Sequence, residues 1–112
     1  MKYYHNPRCR KSREGLSILE EKGVSPEIIL YLKKSPSKTE LIDVIKKLDI
    51  HPIDLVRKSE QIYKEKYKNA SLNKEQLIEM LVENPILIER PIFINDDKGI
   101  IGRPPEKVLE II

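Results

Sequence analysis

The chain has 112 residues and a mass of 13.1 kDa, which suits one domain with a modest hydrophobic core. Apolar residues make up 39% and charged residues 35%, a composition that argues against a disordered or membrane-spanning chain. The single cysteine excludes an internal disulfide and, with only two histidines present, a zinc site of the Cys/His type. The first residues lack the apolar core of a signal peptide, so we expect a cytoplasmic protein.

The charge pattern gives little indication of a nucleic-acid partner. The 21 basic and 18 acidic residues give a net charge of +3, and the two signs alternate along most of the chain. The exception is the segment 8–13 (RCRKSR), where four cations surround the thiol of Cys9.

The apolar pattern predicts a strand–helix–strand unit at the start of the chain. Residues 2–5 favour a strand, residues 6–7 break it, and an amphipathic helix begins at Cys9 or the next residue and ends at Gly23. Residues 26–31 form a near-continuous apolar run, which predicts a strand covered on both faces. Such a unit predicts a parallel strand pair with a right-handed crossover.

Three helices are predicted in the middle of the chain. Residues 37–40 (SKTE) have the form of a capping box and precede apolar residues at helical spacing. A second, short helix follows, and a third begins at Ser71 or Asn73 and ends before Pro85. We therefore expect an all-helical insertion at about residues 36–84.

The last segment returns to strands. Residues 91–95 and 99–102 flank turn-forming residues, which predicts a hairpin. A final helix begins at Pro104 or Pro105, and its apolar face consists of Val108, Leu109 and Ile112. This order of elements predicts an α/β, thioredoxin-like fold: a small mixed sheet flanked by helices, in one domain over residues 1–112.

The predicted position of Cys9 favours a reactive thiol. A cysteine at a helix start faces unpaired N–H groups and the positive end of the helix dipole, and both stabilise a thiolate. Together with neighbouring cations, such sites commonly lower a cysteine pKa from about 8.5 to about 3.5–7.5. The same donors bind oxyanions. We therefore predict that Cys9 is a nucleophile in an anion site rather than an inert core residue.

Two polar neighbours leave alternatives open. Ser12 stands where a dithiol oxidoreductase would carry its second cysteine, so an external thiol must release whatever Cys9 binds. The Ser12 hydroxyl either satisfies the helix end or hydrogen-bonds to the sulfur. His5 either tunes the thiolate or is a partly buried strand residue.

Three arginines near the ends of predicted elements are candidate oxyanion ligands: Arg57, Arg90 and Arg103. Arginine offers paired planar donors that suit a tetrahedral oxyanion, although exposed arginines also form ordinary salt bridges. Pro91 follows Arg90 at a strand start, where a cis bond would orient the backbone towards the thiol.

Five segments together resemble the glutaredoxin-coupled arsenate reductases: 4–13 (YHNPRCRKSR), 28–32 (IILYL), 55–58 (LVRK), 84–92 (NPILIERPI) and 102–104 (GRP). They occur in order over nearly the whole chain. The resemblance implies that Cys9 is the nucleophile, with His5 and Ser12 around it. It also implies that the oxyanion is held by Arg57, Arg90 and Arg103 and that Pro91 is the family's cis-proline.

The activity that this resemblance implies is the reduction of arsenate to arsenite through a cysteine–arsenic adduct. Glutathione would be the co-substrate and glutaredoxin the protein partner, with no bound cofactor or metal. We expect a monomer that binds neither nucleic acid nor membrane. Arg10 and Lys11 are a departure from the best-known members, which carry smaller uncharged residues there, and the added charge bears on anion binding and on docking of the thiol partner.

Two other interpretations remain. One is a Spx-like regulator that binds RNA polymerase, although many such proteins carry a Cys-x-x-Cys switch that is absent here. The other is a relative of the same fold that uses Cys9 on a different electrophile.

Overall fold

A computed structural model describes residues 1–112. The chain divides into two compact units, one formed by residues 1–34 and 90–112 and the other by residues 35–89. The predicted insertion therefore lies inside the second unit, which extends five residues further towards the C-terminus. None of the helices combines the length and apolar composition that a membrane span requires.

The first unit contains a mixed four-stranded sheet. Its strands are β1 (Lys2–Tyr4), β2 (Glu27–Ile29), β3 (Ile92–Asn95) and β4 (Lys98–Ile101), in the spatial order β2-β1-β3-β4. The pair β1–β2 is parallel, which confirms the predicted strand–helix–strand unit. Strand β3 runs antiparallel to both β1 and β4, which confirms the predicted hairpin.

The prediction that residues 26–31 form a strand covered on both faces is wrong. Strand β2 has only three residues and lies at the edge of the sheet, and its Ile28 is 41% exposed. An apolar run reports hydrophobicity but not position in a sheet. The central, buried positions belong to β1 and β3 instead.

Helix α1 (Arg10–Glu21) packs closely against the sheet. Gly23, with φ of 75°, lies two residues after its last residue, close to the predicted end. Leu19 on this helix forms a buried cluster with Tyr3, Phe93 and Val108. A Cβ atom at Gly15 would lie 2.6 Å from the Tyr3 hydroxyl oxygen. The missing side chain at Gly15 thus allows α1 to approach β1.

The C-terminal segment differs from its prediction. Pro105–Ile111 is a 3₁₀ helix, and Val108 is buried as predicted, but Ile112 is 53% exposed. Ile111 packs against the core cluster in its place. The reason is the helical period: a 3₁₀ helix has three residues per turn, which brings Val108 and Ile111 onto one face.

The second unit is built mainly from helices α2 (Lys38–Leu48), α3 (Gln61–Lys66) and α4 (Lys74–Glu83), with short 3₁₀ helices at Pro52–Leu55 and Pro85–Leu87. The Ser37 hydroxyl accepts the Glu40 N–H at the start of α2, and Asn73 forms a reciprocal capping box with Gln76 at the start of α4. An isolated antiparallel bridge joins Val56 to Ile88.

Candidate active site

A tight turn places Cys9 at the start of α1, directly after β1. The Cys9 N–H donates a 3.0 Å hydrogen bond to the Asn6 carbonyl, and the Cys9 carbonyl accepts one of 3.0 Å from the Arg13 N–H. The Asn6 side-chain oxygen accepts the Arg8 N–H at 3.1 Å. Cys9 has extended backbone angles and is the N-cap residue of α1, so the helix begins at Arg10, the second of the two predicted starts.

The buried side chain of Ser12 joins the first turn of α1 to the end of β1. Its Oγ lies 2.7 Å from Nδ1 of His5 and accepts a 3.0 Å hydrogen bond from the Asn6 N–H. The hydroxyl is therefore directed at the loop before the helix rather than at the sulfur. It is the backbone N–H of Ser12 that interacts with the sulfur of Cys9.

The surroundings of Cys9 favour its thiolate form. Burial raises the pKa of the thiol, but the Ser12 N–H, the Arg90 guanidinium and the Lys11 N–H oppose this and stabilise the negative charge. The net result is a Cys9 pKa below its ordinary value. The sulfur is thus a better nucleophile near neutral pH than an isolated cysteine.

Two of the predicted arginines meet at this sulfur. Arg103 Nη2 lies 3.7 Å from Cys9 Sγ, and Arg103 Nε donates a 2.8 Å hydrogen bond to the Arg90 carbonyl. Arg90 is buried, and its guanidinium also interacts with Cys9. The Arg90–Pro91 and Arg103–Pro104 peptide bonds are both cis. A thiolate beside two guanidinium groups combines a nucleophile with donors for a tetrahedral anion.

Arg57 belongs to the second unit. Its N–H donates a 2.7 Å hydrogen bond to the Leu87 carbonyl, and its Nε lies 3.0 Å from Oε1 of Glu60. The role of Arg57 as an oxyanion ligand stays a prediction.

His5 is buried and connects to Cys9 through Ser12. Burial and the nearby Arg13 guanidinium lower the pKa of His5 below its ordinary value. The imidazole is therefore neutral near pH 7. Arg13 also donates a 2.9 Å hydrogen bond to the Pro7 carbonyl, which holds the loop in front of Cys9.

Sequence reasoning assigned no individual role in this site to Tyr3, Asn6 or Arg13, although Arg13 belongs to the cationic segment 8–13. Asn6 had a signal, since asparagine before proline is a common turn residue. Tyr3 had none, because nothing in the pattern of a strand indicates a hydroxyl partner on a later helix. No group of three His, Cys, Asp or Glu side chains is arranged to hold a metal ion.

Residues 4–111 match the model of the ArsC family. The chain belongs to this family. One relative, an arsenate reductase of Haemophilus influenzae, is 49% identical to this chain, and the match covers 97% of this chain and 96% of the relative. The uncharacterised protein YfgD of Escherichia coli K12 is 48% identical, over 100% of this chain and 96% of its own length.

The solved structures agree with this family membership. An arsenate reductase from Vibrio cholerae has a TM-score of 0.94 with the present chain at 41% sequence identity, covering 100% of this chain and 98% of the other. The predicted thioredoxin-like α/β fold is thereby confirmed.

Proposed function

We propose that this ArsC-family protein is an arsenate reductase that works as a cytoplasmic monomer with glutathione and glutaredoxin as external reductants. The observation that carries the proposal is the pairing of Cys9, whose pKa is lowered, with the guanidinium of Arg103 at 3.7 Å and that of buried Arg90. Relatives named arsenate reductase, at up to 49% identity over nearly the whole chain, support the same activity.

In the first step, the Cys9 thiolate attacks the arsenic of arsenate. A sulfur–arsenic bond forms, one arsenic–oxygen bond breaks, and the leaving hydroxide is protonated to water. Arsenic remains As(V). Arg90 and Arg103 offset the negative charge on the arsenate oxygens, and donors of this kind typically lower a barrier by about 3 kcal/mol each.

The reducing steps need two thiols from outside the chain, because Cys9 is the only cysteine. Glutathione displaces a second hydroxyl as water and forms a sulfur–arsenic bond. Glutaredoxin then attacks the glutathione sulfur, and the electron pair of the broken bond stays on arsenic, which becomes As(III). Water finally releases arsenite and regenerates Cys9. In total, arsenate and two thiols give arsenite, one mixed disulfide and one water.

The same site should bind phosphate without turning it over. Phosphate matches arsenate in charge and tetrahedral shape, and the arginines recognise both features. Thiols do not reduce its phosphorus(V) centre. Phosphate is therefore expected to be a competitive inhibitor.

A coupled assay with arsenate, glutathione, glutaredoxin, glutathione reductase and NADPH tests the proposal. Wild type should consume NADPH and form arsenite, and Cys9→Ser should do neither while retaining its circular dichroism spectrum. Omission of glutathione should stop the reaction. A wild-type protein that forms no arsenite contradicts the proposal, and binding of that protein to RNA polymerase would support the regulator interpretation.

A further inference from the structure

An open cleft lies next to the Cys9 turn, on the side of β2. Its volume is about 460 Å³, and it is lined by residues 5–8 together with Leu30, Leu32 and Lys33. All of these residues belong to the first unit. The cleft is within the usual range for small-molecule sites, roughly 300–1,000 Å³.

The lining of the cleft combines an apolar floor with positive charge. Leu30 and Leu32 supply the apolar part, and Leu32 is 39% exposed. Arg8 and Lys33 are both exposed cations, and the lining contains no acidic residue. An occupant with carboxylates and a short aliphatic part would complement both features.

The cleft and the nucleophile share one turn of the chain. Arg8 lines the cleft and precedes Cys9 directly, so their Cα atoms are about 3.8 Å apart. Asn6, which also lines the cleft, accepts the Cys9 N–H at 3.0 Å. A tripeptide spans about 10 Å when extended, which is longer than the separation of the Arg8 and Cys9 Cα atoms.

From this geometry we infer that the cleft beside Arg8 and Lys33 binds a small anionic thiol, such as glutathione, for attack on the Cys9 adduct. The inference rests on the proposed function and assigns a site to its first external thiol. The thiol sulfur forms a bond to arsenic, an arsenic–hydroxyl bond breaks, and the thiol proton leaves with that hydroxyl as water. Arsenic stays As(V) until glutaredoxin supplies the second thiol.

Changes of charge in the protein and removal of charge from the ligand test the site. In the coupled assay, Lys33→Glu and Arg8→Gln should each raise the KM for glutathione about tenfold, since a charge-assisted contact is lost. For Lys33→Glu, the KM for arsenate should not change. The dimethyl ester of glutathione lacks both carboxylates, so Lys33→Glu should not impair its use.

Lys98→Glu is the matched control. It makes the same charge change at an exposed residue of the same unit, and it should leave the KM for glutathione unchanged. Lys98 pairs with Asn95, the residue after Ile94, and Ile94 pairs with Lys2 at the start of β1. Lys98 is therefore near the start of β1, whereas His5 and Cys9 follow the end of that strand.

Direct binding separates this inference from the proposed function. S-methylglutathione cannot react, and its titration into wild type should shift backbone NMR signals of residues 5–8 and 30–33, with weaker binding to Lys33→Glu. This result would stand even if the protein reduced no arsenate. Equal effects of Lys33→Glu on glutathione and its dimethyl ester, or an effect on glutaredoxin alone, would overturn the inference.

Discussion

The buried hydroxyl of Tyr3 donates a 2.6 Å hydrogen bond to the backbone carbonyl of Ser12, and this bond joins β1 to the first turn of α1. Ser12 therefore has three of its polar groups in use: the carbonyl with Tyr3, the hydroxyl with His5 and Asn6, and the N–H with Cys9. Burial raises the pKa of Tyr3 well above its ordinary value, so the phenol stays a neutral donor.

Tyr3→Phe should lower the free energy of unfolding by about 1–3 kcal/mol, because it leaves the buried Ser12 carbonyl without this donor. Urea unfolding followed by circular dichroism measures the change. Tyr63→Phe removes a hydroxyl outside this network and should have an effect of less than about 0.5 kcal/mol. Equal losses in the two variants would contradict a specific role for the Tyr3–Ser12 hydrogen bond.

Gly15→Ala should be destabilising in wild type and tolerated in Tyr3→Phe. Alanine normally stabilises a helix by about 1 kcal/mol relative to glycine. Here, however, its Cβ would lie 2.6 Å from the Tyr3 hydroxyl oxygen, an overpacking that typically costs about 1–3 kcal/mol. Without that oxygen, the nearest atom on the ring is at 3.6 Å. A double-mutant cycle of unfolding free energies should give a favourable coupling, and additive effects would argue against the contact.

Arg90→Gln should move the Cys9 pKa upwards, because a guanidinium that stabilises the thiolate is removed. The pH profile of alkylation by iodoacetamide reports this value directly, since only the thiolate reacts. Arg10→Gln is the matched control: Arg10 is closer to Cys9 in sequence, but its exposed side chain pairs with Glu14. If both variants shift the profile alike, general positive charge rather than Arg90 sets the thiolate population.

The fold should lose stability in mild acid through His5. Its pKa in the folded chain is below the ordinary value of 6.5, so the unfolded chain binds the proton more readily. The stability contributed by neutral His5 is complete above about pH 6.5 and is lost as the pH falls through the lower folded pKa. The decrease in unfolding free energy between about pH 8 and about pH 5 should be larger for wild type than for His5→Gln. Equal losses of stability in wild type and His5→Gln would exclude His5 as the cause.

Arg57→Gln tests the one predicted oxyanion ligand that lies in the second unit. If Arg57 contacts the substrate, its replacement should lower kcat/KM for arsenate about 100-fold, because a charge-assisted pair of donors is lost. Lys58→Gln removes the adjacent cation and should change kcat/KM less than about threefold. A loss of less than threefold in Arg57→Gln would remove this residue from the site.

Local patterns explain why much of the fold was predictable. The Ser37 cap, the glycine after α1 and the turn between β3 and β4 all depend on residues close in sequence, so they can be predicted without knowledge of the fold. The errors concern positions that local patterns do not encode. Strand β2 is an edge strand. The C-terminal segment has the three-residue period of a 3₁₀ helix, so Ile111 rather than the predicted Ile112 packs against the core.

The sequence by itself located the only thiol of the chain within the cationic segment 8–13 and predicted that Cys9 is the nucleophile. It also excluded a second thiol within the chain as the reductant, because the sequence contains only one cysteine. Only the tertiary structure decided which groups reach the sulfur. Arg103 lies 94 positions from Cys9 in the chain, and the Tyr3–Ser12 and His5–Ser12 contacts join a strand to a helix. Such contacts depend on strand order and on the close approach at Gly15, which arise only when the whole unit packs.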